Sequence, residues 1–344
     1  MQRSILSSDP LGVLASTLPV IRQSEHVRLV DEAVAATAGV ISDLNSASSA
    51  WGDDLHFRDG TWRTAGWVMA LDALNFCFWS ESVDPDDRWR VEYGGQLYDG
   101  YWALVAALRR AVDEGVDLWK PQILAGLSAE QVSHMLRPAE ASTPGIPLLD
   151  RRVRHLIELG EGLLAFQAGS VRNTGAENPV EAFVLAAEGS AARLVEEVVR
   201  WFPSFDDVAE FRGSRVRFLK RAQILVADLH GGFCGEGLGR FDDLSVLTAF
   251  ADYKVPQVLR RLGILEYAPG LADRIERREL IAAGSAQEVE IRAATIWAVE
   301  LVRQQLAERG RVTAAYEIDW ALWQAGQRAA AEDRPYHRTV SWFY

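Results

Sequence analysis

Cysteine is scarce in this sequence, since only two occur among 344 residues. Cys77 lies in an apolar run and Cys234 in a glycine-rich segment, and neither stands near another Cys or a His at a metal-binding spacing. A chain of this length buries most of its apolar surface without covalent crosslinks. We therefore expect free cysteines, no metal, no cofactor and a reducing, cytoplasmic setting.

Long hydrophobic runs and blocks of basic residues are also missing. The N-terminal stretch LGVLASTLPVIRQ is too short and too interrupted by Ser and Pro to span a membrane, and no signal-peptide pattern precedes it. Acidic side chains number 48 against 36 basic ones, which gives a net charge of −12. This charge opposes a phosphate backbone. The composition predicts no export, no membrane partner and no long nucleic acid as partner.

Several familiar catalytic signatures do not occur. The sequence has no GxSxG, no HExxH and no plausible Cys–His nucleophile pair, and its six His are scattered. The glycines between 231 and 239 lack the spacing and the terminal Lys-Ser/Thr of a nucleotide-triphosphate loop, and no buried strand precedes them. Carboxylates are therefore the best candidates for chemistry.

Helical periodicity dominates what is present. In VEIRAATIWAVELVRQQL, one face carries Ile291, Thr295, Ala298, Val302 and Leu306, which predicts an amphipathic helix. Similar patterns predict helices over 27–44, 101–114, 151–166, 179–201 and 216–229. Gly94-Gly95 between alternating residues predicts a β-hairpin, and Asp59-Gly60 marks a possible second one. We expect an all-α protein with one or two small β-hairpins, forming a single domain over 1–344.

The segment DALNFCFW places polar groups in an apolar helix. Asp72 and Asn75 are three residues apart and share a helix face. Buried polar groups need partners. Two interpretations remain open: a structural hydrogen-bond network, or a pocket in which Asn75 reads the polar edge of a ligand while Phe76 or Trp79 stacks on it.

A second candidate segment runs from KRAQILVADL to FADYKVPQVLRRLGIL. Pro256 disfavours helical geometry at Val255, so the chain is expected to bend and to present Asp252 and its neighbours at a helix end. A solvated turn residue is the alternative for Asp252. On the preceding helix, Lys220 and Asp228 are expected to be surface charges.

The C-terminal part supplies a third candidate. Asp319 precedes Trp320 and stands four residues before Trp323, a spacing that brings a carboxylate and a ring together on a helix. The chain then ends in PYHRTVSWFY, whose donors are of the kind that bind a single phosphate. A frayed tail is the usual expectation for a terminus, but four aromatic residues among the last nine favour docking.

Taken together, these segments resemble the queuosine salvage family over roughly residues 10 to 344. The motifs that carry the resemblance are DALNFCFW, YGGQLYDGYWALVAAL, KRAQILVAD, LTAFADYKVPQVLRRLGIL, GSAQEVEIRAATIWAVELV, DWALW and PYHRTVSWFY. The resemblance implies a fold like that of helix-hairpin-helix DNA glycosylases. It also implies hydrolysis of the N-glycosidic bond of queuosine 5'-phosphate, which releases queuine for salvage into tRNA modification.

The resemblance also implies roles for individual residues. Asp252 is the expected catalytic carboxylate, because cleavage at C1' creates oxocarbenium-like charge that a carboxylate stabilises. The expected contacts to base and sugar are Phe57, Asn75, Phe76, Trp79, Tyr253, Asp319, Trp320 and Trp323. The expected phosphate donors are Lys220, Lys254, His337, Arg338 and Tyr344. Glu290 and Arg292 are expected to form a structural ion pair.

Two other functions compete with this interpretation. A non-catalytic protein that binds a modified nucleoside would keep the aromatic pocket but would need no carboxylate at C1'. A DNA-base glycosylase would have to flip a base out of a duplex and hold the backbone, which the acidic composition argues against.

Overall fold

The structure is a computed structural model that describes residues 9–46, 55–80, 82–84, 87–140, 144–169, 175–176, 178–328 and 333–344. Within these ranges the α-helices are α1 (Val13–Arg22), α2 (Asp31–Ser46), α3 (Trp62–Leu74), α4 (Gly100–Asp113), α5 (Pro121–Ala125), α6 (Ala129–Met135), α7 (Leu149–Gly169), α8 (Pro179–Leu185), α9 (Ala191–Trp201), α10 (Lys220–Gly232), α11 (Lys254–Arg261), α12 (Pro269–Glu276), α13 (Ala286–Glu308) and α14 (Ala315–Arg328). The strands are β1 (Val27–Leu29), β2 (Arg90–Tyr93), β3 (Gln96–Asp99), β4 (Val208–Phe211), β5 (Ser214–Arg217) and β6 (Leu265–Tyr267). The expectation of a mainly helical protein with small hairpins is confirmed.

Each sheet in the described chain consists of two antiparallel strands. β2 and β3 form the hairpin expected at Gly94-Gly95, with Tyr93 opposite Gln96. β4 and β5 form a second hairpin, and β1 pairs with the distant β6. These short ribbons lie between helices, so helix packing supplies the cores.

The hairpin expected at Asp59-Gly60 is wrong. The Asp59 carboxylate instead accepts hydrogen bonds from the backbone N–H and the hydroxyl of Thr61, and Thr61 caps the start of α3. A short acidic side chain before a helix can satisfy the free N–H groups there, so the same letters that suggest a turn also suit a helix start.

Two large hydrophobic cores and a small cluster of Phe76, Cys77 and Trp79 are present among the described residues. The largest core surrounds α3, which is buried from Thr64 to Leu74 and packs against α10 and α7. The smaller core joins α2, α11, α13 and α14 through residues such as Val258, Ile291 and Leu322. α10 belongs to the first core, and α11 and α14 belong to the second. The space between these helices holds the candidate site.

Several predicted helix boundaries differ from the structure. The stretch 27–44 opens with β1 before α2, and 216–229 opens with the end of β5 before α10. The stretch 179–201 is divided into α8 and α9 around Gly189, whose φ of 74° is incompatible with a continuous helix. No helix in the described ranges has both the length and the apolarity needed to cross a bilayer. A single domain and the helix-hairpin-helix likeness stay predictions.

Candidate active site

A cavity of about 380 Å³ lies between α10, α14 and the segment that precedes α11. α10 contributes Lys220, Ile224 and Asp228, which follow one another at four-residue intervals and so share a face. α14 contributes Asp319 and further residues over its last turns. The cavity size is within the range of sites that enclose small molecules.

Asp252 stands at the start of α11 and is only 6% exposed. Its Oδ1 atom accepts hydrogen bonds from the backbone N–H groups of Lys254, at 3.0 Å, and Val255, at 2.8 Å. Among the described residues, no hydrogen bond reaches its Oδ2 atom. α11 begins at Lys254, so Pro256 falls in the first turn, where proline is tolerated, and does not interrupt the helix. The burial of Asp252 excludes the alternative that it is a solvated turn residue.

Electrostatics pair Asp252 with Lys220. Burial raises the pKa of Asp252, and the Lys220 ammonium opposes that rise. Burial lowers the pKa of Lys220 to about 8, although the Asp252 carboxylate favours the charged form. Lys220 is 5% exposed and donates a hydrogen bond to the Asn75 carbonyl at 3.4 Å. The expectation that Lys220 and Asp228 are surface charges is wrong, because both are buried and line the cavity.

Two more carboxyl groups with raised pKa values lie around the same space. Asp319 accepts a hydrogen bond from the Phe250 N–H at 2.9 Å, and its pKa lies well above the usual value because of burial and the nearby Asp252 charge. Asp72 is fully buried behind the cavity, and burial together with Asp228 raises its pKa strongly. Carboxyl groups in different protonation states within one site can divide acid and base roles.

The aromatic walls complete the cavity. Trp320 and Trp323 of α14 line it together with Tyr101 and Trp102 of α4. The Tyr101 and Trp323 rings meet edge to face with centroids 5.5 Å apart, and the Tyr101 hydroxyl lies 2.9 Å from Nε2 of His56. Rings beside carboxyl groups suit a flat, hydrogen-bonding ligand such as a nucleobase.

The residues of the segment DALNFCFW lie partly at the cavity and partly in the hydrophobic core. Asn75 lines the cavity, and its side-chain amide also donates a hydrogen bond to Asp72 at 3.4 Å, so both interpretations of this pair apply. Phe76 is fully buried, with its ring centroid 4.2 Å from the Arg152 guanidinium. Phe57 stacks on Trp119 at a centroid distance of 4.8 Å. Phe76 and Phe57 do not line the cavity.

A smaller cleft of about 140 Å³ lies beside the cavity. This cleft is lined by Lys254, Arg338 and Trp79. A still smaller space, bounded by Tyr253 and Lys254, lies between the cleft and the main cavity. Tyr253 also lines the main cavity. Lys254 is 6% exposed, with its ammonium 5.5 Å from the Tyr336 ring. In the part of the chain that the structure describes, that ammonium has no hydrogen bond and no ion pair. The expected phosphate donors Lys254 and Arg338 thus share one cleft.

The C-terminal residues are docked. Tyr344 is 1% exposed and lines the main cavity, and its carbonyl accepts a hydrogen bond from the Cys77 N–H at 3.0 Å. Its hydroxyl lies 3.4 Å from Nε2 of His337. Burial lowers the pKa of His337 to about 3, so this imidazole is neutral, and it lines neither space. The Arg338 guanidinium donates to the carbonyls of Arg278 and Ser80.

The expected ion pair between Glu290 and Arg292 is wrong. Residues two apart on a helix point to different faces. The Glu290 carboxylate accepts backbone hydrogen bonds from His26, at 2.6 Å, and Glu25, at 3.1 Å. Arg292 forms a two-bond ion pair with Asp207, with distances of 2.9 and 2.5 Å.

Sequence reasoning missed Asp228 as a cavity residue, together with Tyr101 and Trp102. The four-residue spacing from Lys220 through Ile224 to Asp228 could have placed Asp228 beside Lys220. No comparable signal marks Tyr101 or Trp102, which reach the cavity only because α4 packs near α14 in three dimensions.

The fold and the cavity define a class: a helical protein with an enclosed site of aromatic rings and buried carboxyl groups, sized for one small polar ligand. The comparisons with known proteins are more specific. The sequence model of a family described as queuosine salvage protein matches residues 55–344. The chain therefore belongs to the queuosine salvage protein family.

Three relatives carry the name queuosine 5'-phosphate N-glycosylase/hydrolase. One from Sphaerobacter thermophilus is 49% identical over 336 residues, which cover 98% of each chain. One from Mus musculus is 37% identical and covers 97% of this chain and 99% of its own. One from Schizosaccharomyces pombe is 35% identical over 81% of this chain and 79% of its own.

Proposed function

We propose that this protein hydrolyses the N-glycosidic bond of queuosine 5'-phosphate and releases queuine for salvage. The names of its relatives support this activity. The observation that carries it here is the convergence of Asp252, Lys220 and Asp319 on one enclosed, aromatic cavity. Neither a binding protein nor a DNA glycosylase finds comparable support in those names.

The reaction adds one water molecule across the bond between ribose C1' and the base nitrogen. As this bond breaks, its electron pair leaves with the base and positive charge develops on the sugar. We assign the stabilisation of that charge to the Asp252 carboxylate, which has one oxygen fixed by two backbone N–H groups. The water supplies the hydroxyl group to C1', and its proton balances the charge of the departing base.

The leaving base needs help, because a 7-deazapurine has carbon at position 7 and cannot be protonated there. Asp319 is suited to this task, since burial and the nearby Asp252 raise its pKa and so favour the protonated carboxyl group, whereas Lys220 opposes the rise at Asp252. We propose that Asp319 donates a hydrogen bond to the base, and that Asn75 reads another polar edge. Trp320, Trp323 and Tyr253 supply stacking surfaces around it.

We propose that the 5'-phosphate reaches towards Lys254. Burial lowers the pKa of Lys254 although Asp252 and Asp333 favour its charged form, and an anion bound beside this ammonium would reduce the cost of its burial. Arg338 lines the same cleft, and Tyr253 separates this cleft from the catalytic cavity. Lys220 and Tyr344 then serve the sugar side of the site, and His337 supports Tyr344 from behind.

We further propose a free nucleotide as substrate, no nucleic-acid chain as partner and a cytoplasmic location. The net charge of −12 supports the first two statements. Two free cysteines, one of them exposed, are consistent with a reducing compartment.

The direct test incubates the purified protein separately with queuosine 5'-phosphate, with the nucleoside queuosine and with a duplex oligonucleotide that carries a damaged base. Chromatography with mass detection then measures free base. Release of queuine from the nucleotide supports the proposal. Tight binding without release would identify a binding protein, and release from the oligonucleotide alone would identify a DNA glycosylase.

A further inference from the structure

Arg292 lies behind the wall that carries Asp252 and Lys220. It belongs to α13 and is 2% exposed, so it does not line the cavity. Its Nε atom donates a hydrogen bond to the carbonyl of Ala251 at 3.2 Å. Ala251 directly precedes Asp252, and this contact therefore fixes the backbone from which the carboxylate projects.

The other end of the guanidinium reaches Lys220 through Asp207. The two terminal nitrogens of Arg292 donate to the two carboxylate oxygens of Asp207. One of these oxygens also accepts a hydrogen bond from the backbone N–H of Lys220 at 3.1 Å. Leu219, just before α10, has a left-handed φ of 52°, and the Asp207 carbonyl accepts from its N–H at 3.2 Å. Asp207 thus holds the first turn of α10, from which the Lys220 side chain projects.

A guanidinium is suited to this double contact because it is planar and donates in several fixed directions. Its faces are also enclosed: the Phe218 ring centroid lies 3.9 Å from the guanidinium carbon, and that of Tyr344, a cavity residue, lies 4.5 Å away. Glu288, one turn earlier on α13, stands 3.7 Å from Arg292, interacts electrostatically with Asp207 and forms a side-chain hydrogen bond with Tyr344. Glu290, which is also buried on α13, instead accepts hydrogen bonds from the backbone of Glu25 and His26.

We propose that Arg292 is a positioning residue that sets the distance between the Asp252 carboxylate and the Lys220 ammonium by holding Ala251 and Asp207 with one rigid group. This inference rests on the proposed function, in which Asp252 stabilises the charge at C1' and Lys220 serves the sugar side of the site. Loss of the double contact changes the distance between the Asp252 carboxylate and the Lys220 ammonium, while the aromatic rings that line the cavity stay in place. Misplacement by about 1 Å costs on the order of 10²-fold in turnover.

The experiment compares Arg292→Lys, Asp207→Asn and Glu290→Gln in steady-state release of queuine from queuosine 5'-phosphate. Lysine keeps the charge but cannot bond Ala251 and both Asp207 oxygens together. We expect kcat to fall about 10²-fold in Arg292→Lys and Asp207→Asn, with KM within about threefold of the parent. The double variant should lose little more than either single one, because both act through one contact.

Glu290→Gln is the matched control, since it also alters a buried charge on α13 but retains an acceptor for its backbone partners Glu25 and His26. Its kcat should stay close to that of the parent. Equal losses in all three variants, or a kcat for Arg292→Lys that is unchanged when corrected for the folded fraction, would overturn the inference. If Arg292→Lys does not fold, Asp207→Asn decides alone. A parent protein that releases no base would instead refute the proposed function.

Discussion

Replacing Asp252 with Asn separates the chemical role of this side chain from its structural one. The Oδ1 atom of Asp252 accepts two backbone hydrogen bonds at the start of α11, at 3.0 and 2.8 Å. An Asn oxygen can accept the same two bonds, so Asp252→Asn should fold normally. Asp252→Ala removes them, and the loss of such a helix cap costs about 1 kcal/mol.

The effect on turnover should be far larger than the effect on stability. Asn is neutral, so the positive charge that develops at C1' loses its only proposed counter-charge. Removal of one group that stabilises a transition state reduces turnover by up to about 10³-fold, which corresponds to about 4 kcal/mol. We expect a loss of at least this size in Asp252→Asn. The nearby Lys220 should also deprotonate more easily, because the carboxylate that favours its charged form is gone.

The assay measures single-turnover release of queuine from queuosine 5'-phosphate, together with substrate binding by calorimetry and melting temperature. Asp252→Asn should bind the nucleotide and melt like the parent, while Asp252→Ala should melt lower by about 2 °C for a 1 kcal/mol loss in a protein of this size. Both should be inactive. Queuine release by Asp252→Asn at a near-parental rate would refute the catalytic assignment.

Three further outcomes follow from the same geometry. Lys254→Gln should raise KM for queuosine 5'-phosphate but not for queuosine. Gly326→Ala should act in the same direction, because the added Cβ would lie 2.7 Å from Cδ of Lys254 and would displace that side chain. Equal effects on both substrates in kinetic assays would contradict the phosphate role. Turnover should fall as pH rises through about 8, where Lys220 loses its proton, and a pH–rate profile of Lys220→Arg should lack that limb. The pKa values of His155 and His337 are lowered to about 3, so between pH 6.5 and pH 3 the unfolded state binds protons that the folded state does not. The free energy of unfolding, measured by denaturant titration, should therefore fall with decreasing pH in this range by about 1.4 kcal/mol per pH unit per histidine. A flat profile would show that these groups titrate alike in both states.

Local patterns predict much of the fold because they act within one element. The Gly94-Gly95 turn specifies its hairpin by backbone geometry, and the periodicity of 291–306 correctly predicts a helix. The prediction that this helix is amphipathic is wrong, because α13 is buried on every face from Glu288 to Glu300. Local sequence patterns do not predict the hairpin of β4 and β5. It turns at Arg212-Gly213, where Arg212 adopts a φ of 50° that is unfavourable for a non-glycine residue. Its formation depends on contacts with α1 and α13.

The candidate site is only partly predictable for a similar reason. Asp252 is recognisable as a residue at a helix end, and Asp319 as a carboxylate beside two Trp rings. Burial is not recognisable in the same way: Lys220 and Asp228 are charged residues that a periodicity argument assigns to the surface. They are buried because α10 packs against α3 and α9 and turns this face towards the cavity, which is a property of the assembled chain.

Burial of these charges also indicates why the site needs a ligand. An ammonium and several carboxyl groups in one enclosed space are unfavourable unless they neutralise one another or bind a complementary molecule. The opposite charges of Lys220 and Asp252 favour each other, and the pKa of Asp319 is raised by burial and by Asp252. Asp252 and Asp333 also favour the charged form of Lys254, but the Lys254 ammonium makes no hydrogen bond or ion pair within the described residues. A ligand that carries hydrogen-bond donors at one end and a phosphate at the other would satisfy both parts of the site at once, and a nucleotide with a modified base has that distribution of groups.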